Sequence, residues 1–172
     1  MKKIWIIAFL GLSLVACKKD KSSSTQTNTP LSYEDKLVGS WDLTAIYYET
    51  EIPDFGGGAP IPVEDNGTNV SGEFNIIKDP NQVSYDYSFT ASIPNPLTGG
   101  SFDAPVSQQA SGTWTVASDN SAIYLKSGEE TTTFKVMKNE ADLQVFQTVI
   151  PYSVPILGTV EVTALITLTR QN

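Results

Sequence analysis

The chain has 172 residues, of which 40% are hydrophobic and 17% charged, and its 19 acidic and 11 basic side chains give a net charge of −8. An acidic chain without a basic patch repels a phosphate backbone, so nucleic acid is excluded as an expected partner. The sequence contains no histidine, the commonest general base and metal ligand, and its single cysteine, Cys17, has no partner for an internal disulfide.

The N-terminus has the pattern of an export signal. Lys2 and Lys3 precede an uncharged segment, residues 4–16, whose length falls within the roughly 7 to 15 residues of a signal-peptide core. The segment is shorter than the about 20 residues needed to span a bilayer. Small residues directly before Cys17 fit cleavage at that point. An ordinary secretory signal with an incidental cysteine, or a short membrane anchor, are the alternatives.

The tetrad Leu14-Val15-Ala16-Cys17 resembles the lipobox of bacterial lipoproteins, whose cysteine becomes the lipidated first residue of the mature chain. The resemblance implies a signal peptide over residues 1–16 and two or three acyl chains on Cys17. Two or more chains anchor a protein stably, since each buried methylene contributes about 0.8 kcal/mol. Lys18 stands where an aspartate could retain the protein in the inner membrane. By analogy with that sorting rule we expect the outer membrane of a Gram-negative bacterium, facing either the periplasm or the cell surface.

Residues 17–31 are predicted to be the lipidated cysteine and a disordered tether. Residues 18–30 contain no apolar side chain and so cannot bury surface. Thirteen residues would span roughly 20 Å as a coil and about 45 Å when stretched. The remaining residues, 32–172, are predicted to form the folded domain, close to the membrane.

From residue 33 to residue 170 the sequence alternates between apolar and polar positions with a period of two, which is typical of half-buried antiparallel strands. The clearest case has six apolar side chains on one face, namely Val83, Tyr85, Tyr87, Phe89, Ala91 and Ile93. The pattern predicts eight strands, at residues 39–49, 71–78, 82–93, 106–117, 121–127, 130–138, 142–150 and 158–169. Residues 31–37 are the one predicted helix, placed to plug an end of a closed sheet.

The predicted connections alternate in length. Short turns follow the second, fourth and sixth strands, whereas residues 50–70, 94–105 and 151–157 are long loops. In an up-and-down meander this places the long loops at one rim and the tight turns at the other. The fifth connection, residues 127–129, is short and departs from the pattern. Eight strands are enough to close a barrel around side chains or one small ligand, and closure removes exposed edges.

Two Gly-x-Trp motifs add a family resemblance. Gly39-Ser40-Trp41 resembles the signature of the lipocalins, and Gly112-Thr113-Trp114 repeats its spacing, as in small lipocalin-like domains of Gram-negative lipoproteins. The resemblance implies that Trp41 packs across the closed end of the barrel beneath Arg170, the only arginine. The predicted fold is therefore all-β, an eight-stranded antiparallel up-and-down lipocalin-like barrel. An open β-sandwich is the competing fold.

No pattern of catalytic residues is present, so the sequence predicts that the chain is not an enzyme and has no cofactor or metal. Without histidine, Ser-His-Asp and Cys-His arrangements are impossible. Lys126 beside Ser127 lacks a setting that would desolvate the lysine. Glu129 and Glu130 are neighbours on one strand and point to opposite faces. Residues 64–69 are rich in oxygen but lack the spacing of a calcium loop, so solvated charge is the preferred interpretation.

The long rim loops are unusually apolar, and they are interpreted as a plug, a lid over a ligand or a protein-contact surface. We expect a membrane-anchored lipoprotein whose barrel binds a small hydrophobic ligand. The residues expected to line the site are Tyr85, Tyr87, Phe89 and Trp114, with Phe55 and Ile61 at the mouth. The alternative is a sealed barrel that acts as a protein-interaction or inhibitor module of the cell envelope. A packed interior beside an exposed apolar rim would favour the alternative.

Overall fold

The computed structural model describes residues 30–54, 56–95, 98–154 and 158–171. They form one short helix and nine β-strands: α1 Tyr33–Leu37, β1 Gly39–Ile52, β2 Ile61–Asn66, β3 Thr68–Ile77, β4 Gln82–Pro94, β5 Ser101–Val116, β6 Ala122–Ser127, β7 Glu130–Asn139, β8 Leu143–Val154 and β9 Gly158–Arg170. In this part of the chain no helix is long and apolar enough to cross a membrane. The predicted signal peptide, Cys17 and residues 18–29 of the predicted tether lie outside the described residues.

The strands form one antiparallel sheet that closes on itself. Each strand from β3 to β9 pairs with its neighbours in chain order, and β1 pairs with both β3 and β9 to complete a ring of eight. The predicted all-β, eight-stranded up-and-down barrel of lipocalin-like type is therefore confirmed. An open sandwich is ruled out, because β1 residues 41–50 pair with β9 residues 162–170.

The structure has nine strands in a ring of eight because β2 and β3 occupy the same position in the barrel wall, each beside a different part of β1. β3 pairs with the first residues of β1, and β2 pairs with the last ones, from Tyr47 to Ile52. Between them Gly67 donates its amide proton to the Ile46 carbonyl at 2.8 Å. A Cβ at Gly67 would lie 2.9 Å from the Phe89 ring, so a side chain there would have to displace the core. Gly67 therefore lets the chain pass from β2 directly into β3 along the barrel wall.

The three long loops predicted from the sequence are wrong in extent. Residues 61–70, within the predicted loop 50–70, are mainly strand, β5 begins at Ser101, and β8 continues to Val154. Several apolar residues assigned to these loops, such as Ile52 and Val63, are buried strand residues that continue the alternation. Proline and charged residues occupy the exposed positions next to these buried residues. The two-residue alternation was therefore hard to recognise in the sequence. At these positions, the interpretation as a filled barrel mouth describes the structure best.

Helix α1 closes one end of the barrel. Ser32 begins it as an N-cap whose hydroxyl accepts the Asp35 amide proton at 3.1 Å. The last carbonyls of a helix have no partner within the helix and must be satisfied by other groups. Here the Leu37 carbonyl accepts the Trp41 indole proton at 2.9 Å. The fully buried Trp41 thereby joins the helix to β1.

Arg170, at the end of β9, satisfies more of these carbonyls. Its guanidinium donates to Lys36 O at 2.9 Å and Val38 O at 2.8 Å, and its Nε donates to Ala141 O at 2.6 Å. Its Cζ lies 4.2 Å from the centre of the Trp41 ring, a cation–π distance. A Cβ at Gly39 would overlap the guanidinium, so the position needs glycine. Gly39, Trp41 and Arg170 form one structural unit at the closed end.

Candidate functional site: a cleft in the barrel wall

The hairpin of β6 and β7 is too short to complete the wall. Ser127 pairs with Glu130, so the turn falls well below the far ends of the neighbouring strands. β5 pairs with β6 only over residues 113–116, and β8 pairs with β7 only over residues 144–147. Among the described strands, residues 101–112 of β5 and 148–154 of β8 therefore have no partner on the side facing the hairpin.

A groove of about 610 Å³ lies where β7 and β8 diverge. We call it the β7–β8 cleft. Polar and small side chains from three strands line it: Thr131, Thr132, Thr133, Lys135, Gln147, Thr148, Val149, Pro151 and Thr163. Most of them belong to the outer face of the barrel.

Two of the lining residues belong to the inner face. Thr132 precedes the buried Phe134 by two positions on β7, and Thr148 lies between the buried Phe146 and Ile150 on β8. Because side chains two apart on a strand share a face, Thr132 and Thr148 point inward. The lining of the cleft therefore includes residues from both faces of the barrel wall.

Five aromatic rings lie against one another in the interior. This aromatic cluster consists of Phe74, Tyr85, Tyr87, Phe134 and Phe146. Phe74 stacks on Tyr85 at 5.1 Å, and Phe134 meets Phe146 edge to face at 6.0 Å. Phe134 is two residues from Thr132 on β7, and Phe146 is two residues from Thr148 on β8. The aromatic cluster therefore lies directly behind the cleft.

The two tyrosines are the polar members of the aromatic cluster. Burial raises the pKa of Tyr85, and its interaction with the Thr132 side chain partly opposes that rise. Burial, with the neighbouring Tyr85, also raises the pKa of Tyr87. Both phenols are neutral at physiological pH, so each can donate a hydrogen bond.

The hydroxyl of Tyr87 has no hydrogen-bond partner among the described residues, although Tyr87 is only 2% exposed. In the described chain, Gln144 Oε1 is the one fully enclosed side-chain oxygen or nitrogen without a partner. The Tyr87 hydroxyl and the unpaired Thr148 hydroxyl therefore keep contact with solvent. A buried hydroxyl without a partner costs free energy unless water or a ligand satisfies it.

One hydrogen bond links the two strands that flank the gap. Tyr152 on β8 donates its phenolic proton to the carbonyl of Pro105 on β5 at 3.0 Å. Each unpaired edge also carries a proline, Pro105 on β5 and Pro151 on β8. Proline cannot donate to a β-ladder and is a common protection of edge strands. These edges are thus poorly suited to accept an added strand.

The structure brings together part of the ligand site predicted from the sequence. Tyr85 and Tyr87 belong to the aromatic cluster, whereas Phe89 packs on Tyr48 with ring centres 6.0 Å apart. Trp114 is 1% exposed and donates its indole proton to Ile77 O at 2.8 Å, a structural contact. Ile61 is half-buried at the start of β2. Phe55 lies outside the described residues.

The charged positions noted in the sequence take structural or solvent-exposed roles. Glu64 accepts the Tyr47 phenolic proton at 2.9 Å on the outer surface, and this hydrogen bond is the main cause that raises the pKa of Tyr47 to about 12. The residues expected to be a solvated loop at 64–66 are exposed positions of β2. Among the described residues, no three of His, Cys, Asp or Glu converge to hold a metal ion.

Sequence reasoning missed the cleft and its polar residues. Thr132, Thr148 and the half-buried Gln108 occupy inward positions of their strands, where the alternation elsewhere has apolar residues. Polar residues at positions in phase with the apolar face were the available signal. The unusually short turn at residues 127–129 was a second signal, because it ends the β6–β7 hairpin early.

No family model matches the chain, and no curated protein matches it. A search of solved structures finds an S-type phycobiliprotein lyase from Guillardia theta, with 13% sequence identity and a TM-score of 0.37. The match covers 81% of this chain and 90% of the lyase. Similarity at this level assigns no activity to the chain.

The comparison nevertheless corrects one prediction. The absence of histidine and of catalytic motifs led to the prediction that the chain is not an enzyme. That prediction is contradicted, because the similar structure is that of a lyase. The prediction failed because the absence of these motifs excludes only particular mechanisms, such as Ser-His-Asp catalysis. It does not exclude catalysis by other residues. We therefore make no prediction against catalysis.

Proposed function

We propose that the barrel binds a small, mainly apolar ligand that enters through the β7–β8 cleft. One observation carries the proposal: the cleft is lined by the inward-facing Thr132 and Thr148, which adjoin the aromatic cluster. Ligand sites typically combine an apolar, aromatic wall with a few polar groups that fix orientation. The unpaired hydroxyls of Tyr87 and Thr148 supply such groups here.

The cleft is better suited to a small molecule than to an added strand. A peptide that extended the sheet would need the backbone donors and acceptors of β5 or β8. Pro105 and Pro151 interrupt these edges, and the hydrogen bond of Tyr152 crosses the gap. These features favour ligand binding over the interaction module as the role of this site.

A titration with the neutral fluorescent probe N-phenyl-1-naphthylamine tests the proposal. We expect saturable binding of about one probe per chain. Thr148→Phe would fill the cleft and should weaken binding at least about tenfold, equivalent to about 1.4 kcal/mol. Thr115→Phe, at an exposed position of β5, is the matched control and should leave the affinity unchanged. Absence of saturable binding, or equal loss in both variants, would contradict the proposal.

We further propose that the chain is a lipoprotein anchored through Cys17 in the outer membrane of a Gram-negative bacterium. The support is the lipobox-like tetrad behind an uncharged segment of signal-peptide length. Labelled palmitate should be incorporated by the full-length chain in its host and lost in Cys17→Ala. Labelling that persists in the variant would refute lipidation at this residue. Fractionation of the envelope would then distinguish the outer membrane from the inner.

A further inference from the structure

Lys135 is an unpaired cation on the rim of the β7–β8 cleft. It lies on the outer face of β7 at the last position where β7 still pairs with β8, opposite Gln147. Its side chain is exposed, and it takes part in none of the ion pairs of the described residues. Those pairs instead involve Lys78, Lys138 and Arg170.

The lining of the cleft contains no carboxylate. Apart from Lys135, it consists of five threonines, one glutamine, one valine and one proline. The nearest acidic neighbours in sequence or register are Glu130, next to Thr131, and Glu161, opposite Pro151, and neither lines the cleft. This composition contrasts with a chain that has 19 acidic and 11 basic residues.

A second observation concerns an unpaired hydroxyl at the cleft. Thr148 is 4% exposed, its side chain has no hydrogen-bond partner among the described residues, and it lines the cleft. An unpaired hydroxyl in such a place retains both a donor and an acceptor. The cleft therefore combines a charged rim at Lys135 with Thr132 and Thr148, whose strand neighbours Phe134 and Phe146 belong to the aromatic cluster.

We propose that the ligand is a monomeric amphiphile with a carboxylate head, which Lys135 binds at the rim while the apolar tail passes Thr148 toward the aromatic cluster. The inference rests on the proposed function, since it assumes that the cleft admits a ligand. An ammonium group and hydroxyl donors satisfy a carboxylate, and a surface free of acidic groups avoids repelling it. The excess of acidic residues elsewhere disfavours binding of such a head at other places.

Displacement of N-phenyl-1-naphthylamine by decanoate, 1-decanol and decylammonium tests the inference. Because Lys135 is exposed, its contribution is that of a surface ion pair, and we expect decanoate to bind about three- to fivefold more tightly than the alcohol. Decylammonium should bind more weakly than both. High salt should reduce the preference for decanoate, since salt screens exposed charges.

Lys135→Gln should remove the preference for decanoate and leave the affinity for 1-decanol unchanged. Lys138→Gln is the matched control, because Lys138 pairs with Glu140 and does not line the cleft. Equal affinity for decanoate and 1-decanol in the unmodified chain, or a preference that survives Lys135→Gln, would overturn the inference and leave the proposed function standing. Failure of the probe and all three amphiphiles to bind would overturn both.

Discussion

The contacts of Arg170 at the closed end predict a specific coupling with Gly39. Arg170→Ala removes three charge-assisted hydrogen bonds, to Lys36 O, Val38 O and Ala141 O, and the cation–π contact with Trp41. Charged hydrogen bonds contribute about 1.5 to 3 kcal/mol each and a cation–π contact about 0.5 to 2. The Arg170 side chain is 27% exposed, so water can replace part of these interactions. We expect the free energy of unfolding to fall by about 3 kcal/mol.

Gly39→Ala should cost a similar amount for two separable reasons. The residue has a φ of 141°, where an L side chain is strained by about 1 to 3 kcal/mol. Its Cβ would also displace the Arg170 guanidinium. The second cost vanishes once Arg170 is alanine. The double variant should therefore lose about 4 kcal/mol, compared with about 6 if the two changes were independent.

Urea unfolding, followed by tryptophan fluorescence and circular dichroism, measures the four free energies of this double-mutant cycle. The expected coupling is about 2 kcal/mol, within the usual range for residues in contact. Coincident transitions and equal m-values are required for the comparison. Additivity within about 0.5 kcal/mol would refute the reasoning, because it would show that Gly39 does not act by making room for Arg170.

Three further predictions concern single positions. Gln144→Glu would place a buried carboxylate beside three acceptor oxygens, so the free energy of unfolding should fall by about 3 kcal/mol at pH 7 and partly recover at pH 5, measured by urea unfolding. Tyr152→Phe removes the hydrogen bond to Pro105 O and should raise the dissociation rate of the naphthylamine probe several-fold, because this bond joins the two strands that flank the gap. An unchanged rate in stopped-flow fluorescence would show that the bond does not restrict the exit of the probe. The hydrogen bond to Glu64 raises the pKa of Tyr47 from 10.0 to about 12, so its stabilisation is complete below pH 10 and disappears as the pH rises to about 12. Urea unfolding across this interval should show a shallower decline for Tyr47→Phe, and identical slopes would count against the bond.

The two-residue alternation predicted the inner face of the barrel correctly where it ran without interruption. In β4, Val83, Tyr85, Tyr87, Phe89, Ala91 and Ile93 are all at most 8% exposed. The alternation in β9 also matches its buried positions, from Val160 to Leu168. Burial of one face is a local property of a strand, so the sequence contains enough information to predict it.

The extent of the strands near the rim was harder to predict. Pro62, Glu64 and Asp65 suggested a loop, but they are exposed positions of β2 and leave the inward Val63 in phase. Charged residues and prolines on an edge or outer face are compatible with a strand. Polarity alone therefore does not separate a loop from the solvent face of a sheet.

The cleft depends on relations between distant segments. Its existence follows from a hairpin shorter than its neighbours, β5 and β8, and these lengths become meaningful only once the sheet register is known. The role of Gln144 is similarly non-local, because its amide reaches Lys36 O, Asn139 Oδ1 and Glu140 O at the closed end. A polar residue at an inward position was visible in the sequence, but its partners were not.

The pairing of β1 with β9 has a consequence for how the chain folds. The partners, such as Trp41 with Arg170, are about 130 residues apart in sequence, so joining them closes almost the whole domain into a loop. Contacts this remote slow folding, and they form last when a chain emerges from its N-terminus. Until β9 arrives, β1 exposes an unpaired edge that can associate with other chains. A chain that ended before Gly158 would therefore be expected to aggregate, even though every earlier hairpin was complete.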